Sequence, residues 1–166
     1  MNRVVMCAAL LCGMVNFAFA QPPSVNNDSA TCTFQDGKQM NVLYTDEATG
    51  GRQELPAGQL WTPGKTPMLL FTQAALAVGN SEIPIGAYSM YVIRQKDSWT
   101  LVLNKNVTAG SKYDEHQDLL RVPMQIGQVD RPEKQFRVLF GHLSPKVCSL
   151  RAYFGKTGSW LEFQEK

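Results

Sequence analysis

The sequence predicts an all-β fold: a single antiparallel β-sandwich or jelly-roll domain of about ten strands, following an N-terminal signal peptide. Three observations predict it. After residue 29, short apolar runs alternate with turn residues at the spacing of all-β domains. Several runs place apolar residues at every second position, so that one face of a strand is buried. No convincing segment carries the 3.6-residue apolar period of an amphipathic helix.

The first twenty residues are expected to be removed. Arg3 supplies a positive start, Val4 to Val15 is almost unbroken apolar sequence, and Ala18-Phe19-Ala20 has the small-x-small pattern that signal peptidase cuts. Cleavage is therefore expected between Ala20 and Gln21. The apolar run, interrupted by Asn16, is shorter than the roughly 20 residues needed to span a bilayer. Cys12 follows Leu11, where lipoprotein processing requires a small residue. No later segment has the length and hydrophobicity of a transmembrane helix. The domain organisation expected is a signal peptide at 1–20, a polar, disordered lead-in at 21–29 and one domain at 30–166.

The strands follow in order. Ala30 to Gln35 and Lys38 to Thr45 flank Asp36-Gly37, a two-residue hairpin signal. Asp46 to Gly58 holds three glycines and a proline and reads as a long loop. Met68 to Phe71 is a short strand, and Leu76 to Val78 pairs with Ser81 to Ile83 across Gly79-Asn80. Ala87 to Arg94, rich in aromatic and β-branched residues, returns as Ser98 to Asn104, where Trp99, Leu101 and Leu103 share a face. Leu120, Val122, Met124 and Ile126 repeat the alternation, as do Phe136, Val138 and Phe140, and then Cys148, Leu150, Ala152 and Phe154. A turn over Gly155-Lys156-Thr157-Gly158 leads to a last strand, Trp160 to Gln164.

Charge and cysteine content narrow the partners. There are 16 Lys and Arg against 14 Asp and Glu, and Arg3 leaves with the leader. A nearly neutral domain has no field to attract nucleic acid or anionic lipid. Of the four cysteines, Cys7 and Cys12 lie in the leader, leaving Cys32 and Cys148 near opposite ends of the domain. In an oxidising compartment such a pair is expected to form a disulfide, set inside the core because Cys32 shares a face with Phe34 and Cys148 with Leu150. Closing a loop of roughly 100 residues contributes up to about 4.7 kcal/mol in the chain-entropy account.

Few residues carry chemistry. His116 and His142 are the two histidines. There is no His-x-His, His-Glu-x-x-His or Cys-x-x-Cys spacing for zinc, no Gly-x-Ser-x-Gly elbow and no phosphate loop, so neither a metal nor a cofactor is expected. The densest polar cluster is Tyr113, Asp114, Glu115, His116, Asp118 and Arg121. Its three carboxylates have the oxygen ligands a hard cation takes, or an acid and a base, but lack the glycine of a calcium loop. The plainer reading is a turn capped by Asp114, with Arg121 paired to a neighbouring carboxylate. Trp61, Tyr91, Tyr113, Tyr153 and Trp160 are candidates for an aromatic sugar platform, with Trp61, in an irregular Pro-Gly loop, the least committed to packing.

Three ordered blocks carry a resemblance. They are Ile83-Pro84-Ile85-Gly86-Ala87-Tyr88-Ser89-Met90-Tyr91, Trp99-Thr100-Leu101-Val102-Leu103-Asn104-Lys105, and Tyr113 to Val122. In these the chain resembles an exported bacterial family catalogued as domain of unknown function 2911. The resemblance implies a β-rich exported domain and brings no activity with it. Where that family has Trp-Arg-Thr-Gly-Ala-Asn-Glu, this chain has Trp61-Thr62-Pro63-Gly64-Lys65-Thr66-Pro67. Any chemistry the family draws from those polar residues is in doubt here.

Together these readings point to a periplasmic or secreted, non-enzymatic module that binds an envelope protein or glycan. Its candidate binding residues are Trp61, Tyr113, Asp114, Glu115, Asp118 and Arg121. A hydrolase-like enzyme using Asp114, Glu115 or His116 and a structural envelope protein are the alternatives.

Overall fold

The computed structural model describes residues 27–52, 54–95 and 97–166. The leader at 1–20, the Ala20–Gln21 junction and residues 21–26 of the lead-in lie outside them. Ten strands, β1 (Asn27–Thr33), β2 (Gln39–Thr45), β3 (Leu60–Trp61), β4 (Met68–Thr72), β5 (Leu76–Val78), β6 (Ser81–Ile83), β7 (Gly86–Gln95), β8 (Ser98–Asn104), β9 (Asp118–Ser144) and β10 (Val147–Glu165), form one antiparallel sheet. Their order is β1-β2-β4-β7-β8-β9-β10-β5-β6, and β3 lies on β7 beside β4. Among the described residues no helix is long and apolar enough to cross a membrane.

The hairpins expected across Asp36-Gly37, across Gly79-Asn80 and between the runs 87–94 and 98–104 are present. The Asp36-Gly37 turn joins β1 to β2, with Gly37 at φ 88°, a conformation glycine adopts without strain. The first strand starts earlier than the alternation suggested. Asn27, Asp28 and Ser29 pair with Thr45, Tyr44 and Leu43, so the end of the polar lead-in is strand. These side chains are exposed, which is why no apolar period marks them.

The long strands β9 and β10 close the fold. Asp118 to Met124 of β9 pair with β8, whereas Gln125 onward pairs with β10. One strand thus serves two limbs of the sheet, which fold over a shared core. The turn expected at 155–158 is a register shift within β10 rather than a chain reversal, and the alternating runs 120–126 and 136–140 are parts of one strand, β9. Gly155 opposes Glu133 and Thr157 opposes Gln128, so residues 129–132 of β9 face the single Lys156. Gly155 takes φ 58°, a left-handed bulge position, and Pro132 falls where the ladder is interrupted and no donor is needed.

The core lies between the limbs. Trp99, Phe136, Phe154, Phe163, Met40 and Leu70 are among its fully buried side chains. After β2 the chain crosses to the other limb, where the Phe136 N–H donates to the Glu47 carbonyl and the Thr49 N–H to the Lys134 carbonyl, both at 2.8 Å. Cys32 of β1 and Cys148 of β10 complete the closure, with sulfurs at bonding distance, 2.04 Å, and Cα atoms 6.3 Å apart. Both are buried in the core.

Candidate functional site

The polar cluster after β8 is a clamp on the outer face of the sheet. Tyr91 of β7 points away from the core because its neighbours Met90 and Val92 point into it. It is nevertheless buried, because the 105–117 connection folds over that face and sets Tyr113 edge-on against it, ring centroids 5.1 Å apart. Two bonds hold the connection down and a third ties the end of β8 to the start of β9. The Ser89 hydroxyl donates to the Asn106 carbonyl at 2.7 Å, and the buried Asn104 amide donates to the Asp114 carbonyl at 2.7 Å and to Asp118 Oδ1 at 2.8 Å.

Asp118 is the hub. Its Oδ2 accepts from the Tyr113 hydroxyl at 2.6 Å and from Arg121 Nε at 2.7 Å, while Arg121 Nη2 donates to the Tyr113 oxygen at 2.7 Å. Asp114 accepts the His116 N–H at Oδ1 and the Gln117 side-chain amide at Oδ2, both at 3.0 Å, capping the 3-10 turn Glu115–Gln117. The Gln117 amide first, and the His116 N–H second, hold the Asp114 carboxyl below its usual range. Glu115 lies 3.6 Å from Arg121 Nη2, and the His116 side chain is exposed. Among the described residues no three His, Cys, Asp or Glu side chains are arranged to hold a metal ion. The clamp therefore satisfies its polar groups internally.

One consequence is a high-pH sensitivity. Burial first, and the bond to Asp118 second, push the Tyr113 phenol up to about 12, from about 10 in an unfolded chain. The folded protein thus binds this proton more tightly than the unfolded chain does. The stability it confers is complete below about pH 10 and lost as pH rises through about 12. Burial lifts Tyr44 to about 12 as well. Chemical denaturation should show stability falling across this window, and Tyr113→Phe should remove part of the fall while leaving the share of Tyr44. An unaltered profile in that variant would count against the Tyr113–Asp118 bond.

Trp61 is not near this cluster. It is the register partner of Val92 and so lies on the core face, opposite Tyr91. Only 7% exposed, it packs edge-to-face on Phe136 and Phe154 at 4.7 and 5.6 Å between centroids. The loop that follows is a packed corner: Pro63 is buried, and Gly64, at φ 60°, lies where a Cβ would fall 2.3 Å from Thr45 Cγ2. The six residues proposed from sequence therefore divide, Trp61 standing alone and the other five meeting around Asp118 and Asp114.

The structure brings a different group together on the outer face of β9 and β10. Tyr153 and Trp160, both half-buried, line a cleft of about 340 Å³ with Gly127, Gln128, Val129, Arg151 and Gly158. Gly127 and Gly158 are direct cross-strand partners. Neither has a positive φ, so the rings above explain them: a Cβ on Gly127 would lie 3.2 Å from the Trp160 indole, and one on Gly158 would lie 3.1 Å from the Tyr153 ring. The indole N–H donates to Gln125 Oε1, fixing the ring across the strand. A second cleft of about 280 Å³ shares Gly127 and Gln128 and is lined by Glu54, Arg94, Asp97 and Ser98 among others. Two glycines inside strand sequence were the available signal, since glycine there marks close approach of another group. Reading 155–158 as a chain reversal concealed that Tyr153 and Trp160 share one surface.

The fold and site define an all-β, disulfide-closed antiparallel domain with a small aromatic-walled cleft. The chain belongs to the family described as "Protein of unknown function (DUF2911)", which matches residues 26–162. No curated protein and no solved structure matches it.

Proposed function

We propose that this domain is an exported, non-enzymatic binding module of the cell envelope, and that its ligand is a glycan held in the Tyr153–Trp160 cleft. The observation that carries this reading is the pair of half-exposed aromatic rings beside a glycine floor. Sugar rings present apolar C–H faces that stack on aromatic rings, and their hydroxyls pair with planar amides such as that of Gln128, which lines the cleft. Export is supported by the leader at the N-terminus and by the Cys32–Cys148 bond, which persists in oxidising compartments.

The test is a thermal-shift and calorimetric panel of envelope oligosaccharides with the mature domain, alongside Tyr153→Ala and Trp160→Ala. A ligand at a hundred times its dissociation constant adds about 2.7 kcal/mol, a rise in midpoint of roughly 5–10 °C. Each substitution should weaken binding about tenfold, the share of a lost aromatic stack and its buried area. If no oligosaccharide shifts the midpoint, or if the bound one is indifferent to both substitutions, the proposal fails.

A further inference from the structure

Arg151 stands two residues before Tyr153 on the same face of β10, about 7 Å away along the strand. Its guanidinium lies over Gly141, in the space a side chain there would fill: a Cβ built on Gly141 would be 3.1 Å from Nη2 and 3.2 Å from both Cζ and Nε. The near-equal distances mean that a face of the group rests on the glycine, so its N–H donors point sideways. Arg151 is exposed, and among the described residues its donors make no ion pair and no side-chain hydrogen bond. Arg137, the register partner of Tyr153, is paired with Glu133 at 3.4 Å, and Arg94 is paired with Glu54. Among the described residues no carboxylate lines the Tyr153–Trp160 cleft, whereas Glu54 and Asp97 line its neighbour.

An oriented, uncompensated guanidinium beside an aromatic wall is a receptor for a planar anion, because its edge offers parallel N–H groups matching two carboxylate oxygens. From this we infer that the cleft selects acidic glycans. A carboxylate-bearing pyranose, such as a uronic acid, stacks its ring on Tyr153 and Trp160 and sets its carboxylate against the edge of Arg151. This inference rests on the glycan reading above and adds the ligand class to it.

Calorimetry with an oligogalacturonate and with its fully methyl-esterified form separates the two claims, since the ester keeps the sugar backbone and removes the charge. The acid should bind at least tenfold more tightly than the ester, as expected of a charge-assisted bond. The preference should shrink as ionic strength rises. Arg151→Gln should bring the acid to the level of the ester, Arg151→Lys should restore part of the preference, and Trp160→Ala should weaken both ligands. Equal binding of acid and ester to the wild-type domain overturns the acidic preference and leaves the glycan reading standing. So does binding of neither one by a domain that still binds a neutral oligosaccharide. No binding to any of these sugars overturns both.

Discussion

Reducing the Cys32–Cys148 bond is expected to lower the stability of the domain by about 2–5 kcal/mol. The two residues are separated by 116 positions, so the bond removes from the unfolded chain a large part of its freedom to expand. It also joins strands that are remote in the sheet: β1 is one terminal strand, while β10 lies six places along the order. No backbone ladder between β1 and β10 duplicates the link. For a domain of this size each kcal/mol moves the midpoint by roughly 2–4 °C, so loss of the bond should lower it by about 4–20 °C. Thermal melts with and without a phosphine reductant measure this directly. Reduction keeps both sulfurs in the core, so the fall reports the cross-link and not a cavity. A midpoint unmoved by complete reduction would mean that the two limbs hold together through packing alone.

Trp61→Ala should cost about 3–5 kcal/mol, the range for removing a large aromatic side chain from a well-packed core. Trp61 bridges Phe136 and Phe154, both fully buried, and Phe136 in turn meets Tyr44 at 5.6 Å. The indole thus fills the space where β3 and the two long strands converge. Its loss leaves a cavity walled by rigid rings that cannot close over it. Urea denaturation should show the full cost, and Trp61→Phe should recover a substantial part. Tyr153→Ala and Trp160→Ala, on the outer face, should each change stability by only about 1 kcal/mol. The contrast has a practical meaning: weakened ligand binding in Trp61→Ala would reflect a loss of folded protein. If Trp61→Ala were as stable as the wild type, the aromatic cluster would not be the centre of the core.

The strand alternation was legible because it records one physical fact, that a sheet face is either buried or wet. Trp99, Leu101 and Leu103 reveal their face in this way, and the short β5–β6 hairpin is marked by Gly79-Asn80 between apolar triplets. Tyr91 was harder to place. Its strand is apolar on both faces, and only the 105–117 connection, anchored by Asn104, decides that the outer face is covered. The Asp114 cap was readable as local turn chemistry, whereas the hub role of Asp118 was not. It depends on Tyr113, Arg121 and Asn104 arriving from three places at once.

By itself the sequence determined the all-β class, the hairpins joined by short turns, the cysteine pair available for closure and the absence of a metal-binding spacing. These follow from neighbours in the chain, where side-chain alternation, turn residues and spacing act over a few positions. Tertiary structure decided the rest. It turned the reversal expected at 155–158 into a bulge within β10, joined two alternating runs into β9, placed Trp61 in the core and laid Tyr153, Trp160 and Arg151 over glycines on one surface. The reason is that register and sheet folding are set by the packing of distant strands, and a shift at Gly155 changes which side chains share a face without leaving a distinct local signal.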